Sequence, residues 1–205
     1  SSVEASLTEL MALGPSHISI YGLSVEPGTV LSHNLLQGRW ILPTDDETGN
    51  MYDLIMDRLV KGGYERYEIS NFAKAGDKSR HNLVYWHYNP YLAFGAGATR
   101  FDGRTRENNP AYLAAYERGE APEIECLSPA VQREEMIFMN LRTVRGLSLL
   151  DYEARFGRSF ALDYGPQIEN LIHKGWAKWE DGHFCLTPLG MQYGNLAFEA
   201  FITTD

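Results

Sequence analysis

The chain has 205 residues, which is enough for one large domain or two small ones. Hydrophobic residues make up 44% of it, and no apolar run reaches the ~18 residues that a membrane helix needs. The formal net charge of −9 argues against unspecific binding of nucleic acid and allows at most transient contact with an anionic membrane. The first residues lack a basic segment followed by an apolar one, so they do not predict a secretory signal.

The two cysteines, Cys126 and Cys185, stand far apart in the sequence. This excludes a disulfide-rich scaffold and a local CxxC metal motif. Two thiols in an acidic chain without a signal are typical of a reducing compartment, so the sequence predicts a cytoplasmic protein. Both cysteines are expected to be small buried residues.

The first half of the chain predicts two helices and two strands. The opening helix has one apolar face, and a strand follows it over His17–Leu23. Thr44 is the predicted N-cap of a second helix, with Glu47 three residues later and Gly62 at the end. A second strand is predicted over Tyr64–Ser70. The apolar face of the opening helix consists of Val3, Leu7, Leu10 and Met11.

The second half begins with an irregular segment and ends in a small module. Residues 71–110 are rich in Gly, Asn, Arg and aromatic residues, which is typical of a functional segment that lies over a scaffold. A domain boundary is predicted at 118/119, where an acidic stretch with prolines begins. Residues 119–205 predict a winged-helix-like module: helices over about 130–143, 146–157 and 164–174, a hairpin over 176–186 and a final helix capped by Thr187.

Winged-helix modules often bind DNA, but the charge of this one argues against it. Residues 126–205 contain seven Lys and Arg against ten Asp and Glu. The third helix would enter a DNA groove, yet Asp163 and Glu169 lie in or beside it and Lys174 is its only basic residue. A groove-reading helix is basic or rich in Arg, Asn and Gln, so nucleic acid is not a predicted partner.

The string around His81 is the first candidate site, because Tyr85 and Trp86 follow within five residues. In an extended segment His81 and Tyr85 would share one face. An imidazole beside flat aromatic surface could ligate haem iron and cover a porphyrin face. The alternative is a histidine that hydrogen-bonds in a loop and packs on aromatic rings for stability.

The string Gly95-Ala96-Gly97-Ala98 is the second candidate, since it lets the backbone come close to a neighbour. It could offer N–H groups to an adenosyl or carboxylate group, or it could serve tight packing between backbone segments. It is not GxGxxG and does not predict a Rossmann fold. Glu26 and Glu68 are the carboxylates nearest the strand ends and are candidates for ligand contact. The other histidines show no ligand spacing.

Four strings resemble the HemW group, relatives of the oxygen-independent coproporphyrinogen III oxidases in the radical-SAM family. The resemblance covers almost the whole chain and is most specific in ISNFA and HNxxYW. Ala93 and Thr99-Arg100 depart from the pattern, because relatives often have Gly and His-Ser there. The strings are HISIYGLSVEPGT at 17–29, GYERYEISNFA at 63–73, SRHNLVYW at 79–86 and FGAGA at 94–98.

The resemblance implies an α/β (α+β) fold in two parts. Residues 1–118 would be the remnant of a partial (β/α)6 radical-SAM barrel, with His17–Leu23 as its last strand, and residues 119–205 the winged-helix-like C-terminal domain. The CxxxCxxC loop for the iron–sulfur cluster does not occur in this sequence, so we expect no radical-SAM activity from this chain alone. An unpaired barrel strand invites association, so His17–Leu23 should pair with Tyr64–Ser70, be covered, or form a homodimer.

The resemblance also implies a haem carrier that binds haem or porphyrin and delivers it to haem-accepting proteins. His81 would ligate the iron, with Tyr85 and Trp86 as pocket walls. The complete protein would hold S-adenosylmethionine and an iron–sulfur cluster, and the cofactor contacts in this chain would be Gly95, Ala96, Gly97 and Tyr21. Two alternatives remain open: a coproporphyrinogen III dehydrogenase of porphyrin biosynthesis, and a non-enzymatic interaction module.

Overall fold

The computed structural model describes residues 2–202. They form an α+β fold with three small antiparallel sheets, which confirms the predicted fold class. Two compact units divide the chain between Lys78 and Ser79. None of the helices within residues 2–202 is long and apolar enough to cross a lipid bilayer.

The first unit combines three helices with one three-stranded sheet. The helices are α1 (Ser2–Ala12), α2 (Val30–Leu36) and α3 (Asp45–Lys61), and the strands are β1 (His17–Ser19), β2 (Glu65–Arg66) and β3 (Asn71–Ala73). The sheet has the order β1-β3-β2, with both pairs antiparallel.

Helix α3 begins and ends where the sequence predicts. The Thr44 side chain accepts the N–H of Glu47, and the Glu47 carboxylate accepts the N–H of Thr44, so the capping box is complete. Those hydrogen bonds from Thr44 lower the pKa of Glu47. Gly62 forms the C-cap. Local side-chain chemistry thus defines this helix at both ends.

The strands of this unit are shorter than predicted. Only Glu65–Arg66 of the predicted strand Tyr64–Ser70 forms a strand, β2, and β3 begins just after the predicted range. The chain turns between β2 and β3, where the Glu68 carboxylate accepts the N–H of Ser70 at 2.7 Å and competes with the sheet ladder. Strand β1 therefore pairs with β3, the segment just after the predicted partner. The ladder ends where Ile20 donates to the Ser70 carbonyl at 2.8 Å, so the strand does not extend to Leu23.

The core of the first unit is small. Its apolar cluster contains five buried residues, four from helices and strands and one, Tyr64, from the turn between α3 and β2. The predicted apolar face of α1 packs onto this cluster. Most side chains of residues 21–43 are exposed, including large apolar ones. The five buried core residues are Leu7, Ile18, Leu59, Tyr64 and Phe72.

The second unit opens with a short helix and a second sheet. Helix α4 (Arg80–Trp86) precedes strands β4 (Thr99–Phe101) and β5 (Thr105–Asn108). Helix α5 (Leu113–Glu117) and strand β6 (Glu123–Cys126) follow, and the sheet order is β4-β5-β6. The pairing of β5 with β6 joins residues on both sides of 118/119, so the compact units divide elsewhere than at that position.

The rest of the second unit has the order of a winged helix. Helix α6 (Pro129–Leu141) leads through β7 (Leu147–Ser148) to α7 (Leu149–Phe156), α8 (Phe160–Asp163) and α9 (Gly165–His173). Strands β8 (Ala177–Glu180) and β9 (His183–Leu186) form the predicted hairpin, and α10 (Pro188–Gln192) and α11 (Gly194–Glu199) end the described chain. Thr187 caps α10, as predicted, by accepting the Gly190 N–H at 3.0 Å.

Aromatic rings fill the core of this winged-helix part. Phe160 lies at its centre and packs against the rings of five other residues. Cys185 is buried here, as expected, and burial raises the pKa of its thiol. The same expectation was wrong for Cys126, which is exposed because every side chain of the edge strand β6 faces solvent. The rings around Phe160 belong to Tyr152, Tyr164, Trp179, Phe184 and Phe201.

Candidate functional site

The segment that carries His81 is helical, not extended. Ser79 is the N-cap of α4, and its hydroxyl accepts the N–H of Asn82 at 3.2 Å. The extended conformation considered from the sequence was wrong, because this cap and the packing of α4 on α6 outweigh the aromatic content of the string. His81 and Tyr85 still share a face, since residues four apart lie one above the other on a helix.

His81 lies at the surface with its ring against Tyr85. The imidazole is exposed, and the Tyr85 hydroxyl lies 3.2 Å from its Nε2 atom. The two ring centroids are 5.0 Å apart in an edge-to-face arrangement. The alternative interpretation was a histidine that hydrogen-bonds in a loop and packs on aromatic rings. His81 does form a hydrogen bond and pack on an aromatic ring, but it does so on a helix. Its exposure nevertheless leaves the imidazole within reach of a ligand.

Trp86 does not join His81 and Tyr85. It lies five positions after His81, which turns it about 140° around the helix. The guanidinium of Arg142 stacks over its ring at 4.6 Å. Its Nε1 atom is buried and has no hydrogen-bond partner among the described residues. The structure thus brings two of the three predicted haem-contacting residues together and places the third against another part of the unit.

A chain of rings continues from Tyr85 that the sequence reasoning missed. Tyr91 packs against Tyr85 with centroids 4.6 Å apart, and against Phe101 at 5.9 Å. Tyr91 and Phe101 also exchange backbone hydrogen bonds of 2.8 and 3.1 Å. Tyr88 packs on the other side of Phe101 at 4.8 Å. The recurrence of tyrosine every three residues, at positions 85, 88 and 91, was the available signal.

Polar groups fix the inner end of this ring chain. The Tyr88 hydroxyl donates to the Glu135 carboxylate at 2.9 Å, and Arg106 forms an ion pair with the same carboxylate. Burial raises the pKa of Tyr88, the charge of Glu135 adds to the increase, and Arg155 and Arg106 oppose it. The rings are therefore held by buried or half-buried bonds to α6 and β5.

The cavity beside these rings is too small for a porphyrin. Its volume is about 30 Å³, which is enough for about one water molecule. Pockets that enclose drug-sized ligands have about 300–1,000 Å³. A large planar ligand would therefore lie on the outer surface of the ring chain. The cavity is lined by Tyr85, Tyr88, Asn89, Tyr91, Phe101, Arg106 and Met139.

Several large apolar side chains that lie near the ring chain in sequence are exposed. Leu92 and Phe94 follow Tyr91 in the chain and are 71% and 83% exposed. Tyr112 is 82% exposed, and Tyr116, on the same short helix, accepts the N–H of Gly95 at 3.2 Å. Exposed apolar residues that lie close together mark a surface for contact with an apolar ligand or partner.

The glycine string forms a turn that hydrogen-bonds to its own unit. Gly95 and Gly97 have φ angles of 103° and 70°, which other residues rarely adopt. The N–H of Gly97 donates to the Pro110 carbonyl at 2.9 Å, and that of Ala98 to the Gly95 carbonyl at 3.3 Å. A Cβ atom on Gly95 would meet nothing within 4 Å, so this glycine serves the turn and not tight packing. Contact with a cofactor stays a prediction for Gly95, Ala96 and Gly97.

The candidate residues of the first unit differ in exposure. Tyr21 is 69% exposed, in the segment after β1, and its cofactor contact stays a prediction. Glu26 is exposed, whereas Glu68 is fully buried and also accepts from the Asn71 side chain. Glu68 therefore stabilises the turn between β2 and β3. Within residues 2–202, no three His, Cys, Asp or Glu side chains lie together as a metal site.

Comparisons with known proteins agree on one family. The model of the HemN C-terminal domain matches residues 127–193. A heme chaperone HemW of Lactococcus lactis subsp. lactis is 34% identical over 99% of this chain, and one of Bacillus subtilis is 34% identical over 98%. The heme chaperone HemW of Escherichia coli is 28% identical over 96% of this chain.

The fold comparison agrees with the sequence comparisons. The solved structure of Escherichia coli coproporphyrinogen III oxidase (HemN), described as a radical SAM enzyme, has a TM-score of 0.73 over 98% of this chain. At a sequence identity of 16%, this match supports a similar fold and nothing further. The chain spans 55% and 54% of the Lactococcus and Bacillus proteins and 51% of the HemN chain. The chain belongs to the HemW group of HemN-like proteins and corresponds to the C-terminal part of its members.

Proposed function

We propose that this chain is the part of a haem chaperone that binds haem through His81 and presents it to haem-accepting proteins. The names of the relatives that match nearly the whole chain support this function. The observation that carries the site is an exposed imidazole on α4, next to a fixed chain of aromatic rings.

The chemistry of His81 suits haem iron. A neutral imidazole nitrogen is a common axial ligand, and one such ligand is enough to attach haem to a surface. One of the rings of Tyr85 and Tyr91 gives the porphyrin a flat contact and the other an edge contact, because the two ring planes are inclined by 61°. The exposed apolar side chains of Leu92 and Phe94 follow Tyr91 in the chain. Trp86 lies against Arg142, so we assign it a supporting role and not a direct contact with haem.

An open surface site suits a carrier better than an enzyme. A ligand that lies on a surface can pass to an acceptor without a conformational opening of the protein. The small cavity behind Tyr85 and Tyr91 supports this arrangement, because it does not admit a porphyrin. A coproporphyrinogen III dehydrogenase is the second candidate, since the HemN fold is shared. The higher identity to the HemW proteins favours the carrier.

Further cofactors belong to the complete protein. The family implies S-adenosylmethionine and an iron–sulfur cluster, and the two separated cysteines of this chain do not form the CxxxCxxC ligand set. In the second unit, we propose Gly95, Ala96 and Gly97 for contact with S-adenosylmethionine. In the first unit, we propose such a contact for Tyr21 separately. The open space around Gly95 fits the approach of such a ligand.

The proposed function is tested by titrating the chain with haem and recording the Soret absorbance. We expect saturable binding with the unchanged protein and its loss with His81→Ala, because the axial ligand is removed. His87→Ala is the matched control, since His87 is the C-cap of the same helix. Equal binding by the His81→Ala and unchanged proteins would contradict the assignment of His81. Absence of binding by the unchanged protein would contradict the proposal for this chain.

A further inference from the structure

The hydrogen bond between Tyr85 and His81 occupies the atom that a haem iron needs. The Tyr85 hydroxyl lies 3.2 Å from His81 Nε2, the ring nitrogen farther from the backbone. The contact follows from α4 itself, because residues four positions apart are neighbours on a helix. The Tyr91 ring also packs against Tyr85, with the two centroids 4.6 Å apart. The bond is therefore supported by fixed neighbours.

The direction of this bond decides whether His81 has a free lone pair. A neutral imidazole has one N–H donor and one acceptor nitrogen, and a phenol O–H can donate or accept. A phenol O–H is a better hydrogen-bond donor than an imidazole N–H, and an unprotonated imidazole nitrogen is a better acceptor than a phenol oxygen, so we assign Tyr85 as the donor and Nε2 as the acceptor. The ring proton of His81 then lies on Nδ1. In this arrangement neither ring nitrogen is available to a metal.

We propose that Tyr85 is a reversible cap on the ligand nitrogen of His81 and competes with haem iron for it. The inference rests on the proposed function and adds a residue that determines how firmly haem is held. On loading, the bond from iron to Nε2 forms as the hydrogen bond from Tyr85 breaks. The phenol keeps its proton, no electrons are transferred, and release reverses both changes.

The cap gives the proposed carrier a means of promoting haem dissociation. The Tyr85 hydroxyl stays within one helical turn of Nε2, so it acts as an intramolecular competitor at a high effective concentration. The Tyr85 ring still contacts the porphyrin, so ring and hydroxyl have opposite effects on haem affinity. Tyr85→Phe separates them, because it keeps the ring and removes the hydroxyl.

The first test needs no haem. Nitrogen-15 NMR of the His81 ring reports which nitrogen carries the proton. We expect the Nδ1–H form in the unchanged protein and a shift toward the Nε2–H form in Tyr85→Phe. Tyr91→Phe is the matched control, because among the described contacts its ring packs on Tyr85 and Phe101 and not on His81. An Nε2–H form in the unchanged protein would overturn the cap.

The second test measures haem affinity and dissociation by Soret absorbance for four proteins: unchanged, Tyr85→Phe, His81→Ala and the double variant. A net hydrogen bond of ordinary strength predicts that Tyr85→Phe binds haem roughly 2- to 10-fold more tightly and releases it more slowly. The double variant should bind no better than His81→Ala. Circular dichroism checks that each variant is folded.

The outcomes separate the cap from the proposed function. If His81→Ala loses binding and Tyr85→Phe binds like the unchanged protein or more weakly, the cap is wrong and the ligand assignment stands. If His81→Ala binds like the unchanged protein, the ligand assignment fails and the cap with it. If Tyr85→Phe improves binding even when His81 is replaced, the hydroxyl acts on haem by another route and the cap is overturned.

Discussion

The two units of this chain are packed in different ways. The apolar cluster of the first unit has five buried residues, and Leu36 and Ile41 remain 86% and 93% exposed. In the second unit, Phe160 contacts five other rings, and Phe184 and Phe201 are almost fully buried. The candidate haem surface lies in the second unit, where the packing supports rigid side chains. The candidate site thus lies in the unit with the larger aromatic core, whereas the exposed apolar segment of the first unit is typical of a contact surface.

Replacing Phe160 by alanine should give the largest effect. We expect the second unit to lose about 3–5 kcal/mol of unfolding free energy, because removal of a buried ring from the centre of the core leaves a cavity. Phe94→Ala is the matched control, since that ring is 83% exposed. Denaturant unfolding in a Trp40→Phe background follows the second unit alone, because the remaining tryptophans all lie there. Equal stability of Phe160→Ala and its parent would contradict the proposed difference between the units.

Glycine replacements should act in opposite directions in the two units. A Cβ on Gly146 would lie 2.2 Å from the Phe184 carbonyl oxygen, and its φ is +75°. Gly146→Ala should therefore destabilise the second unit by about 1–3 kcal/mol. Gly49 lies within α3 with nothing near its Cβ position, so Gly49→Ala should stabilise the first unit by about 0.5–1 kcal/mol. Thermal unfolding measures both effects. Destabilisation by Gly49→Ala would contradict the expected stabilisation of helix α3.

The smallest predicted effect is a pH dependence at His87. Desolvation lowers its pKa below the ordinary 6.5, Arg145 acts in the same direction, and Asp151 opposes both. The neutral form is thus favoured in the folded state, so its contribution to stability is complete above pH 6.5 and is lost as the pH falls through the lowered pKa.

Unfolding experiments at a series of pH values below 6.5 test this dependence. His87→Gln should flatten the fall in stability of the second unit, and Arg145→Gln should reduce it. An unchanged slope in His87→Gln would show that other groups cause the dependence. The first unit should keep its own pH response in both variants.

The sequence predicts best where local chemistry decides the structure. The bounds of α3 follow from Thr44, Glu47 and Gly62, and the hairpin of β8 and β9 follows from Asp181 and Gly182, which both adopt positive φ. In these places a few neighbouring side chains define the backbone. No distant contact is needed to predict them.

The sequence predicts the structure less well where contacts between residues far apart in the chain determine it. Helix α4 was missed because its string is aromatic and β-branched, although the Ser79 cap was visible. The packing of Trp86 under Arg142 joins residues 56 positions apart, and no local sequence pattern predicts such a contact. The sheet of β4, β5 and β6 was missed for the same reason, since its strands are short and mostly polar. Of the candidate site, the His81–Tyr85 pair was predicted and the ring chain beyond it was not.

Helix α4 has seven residues, and an isolated helix shorter than ~12–15 residues is marginal in water. Its Ser79 cap and its packing against α6 therefore hold it together. A ligand that contacts both His81 and Tyr85 recognises only the helical state, so binding and local folding are thermodynamically linked. Loading with haem should raise the unfolding midpoint of the second unit and slow proteolysis around residues 79–87. Under the proposed function, removal of haem by an acceptor should return the chain to a more easily digested form.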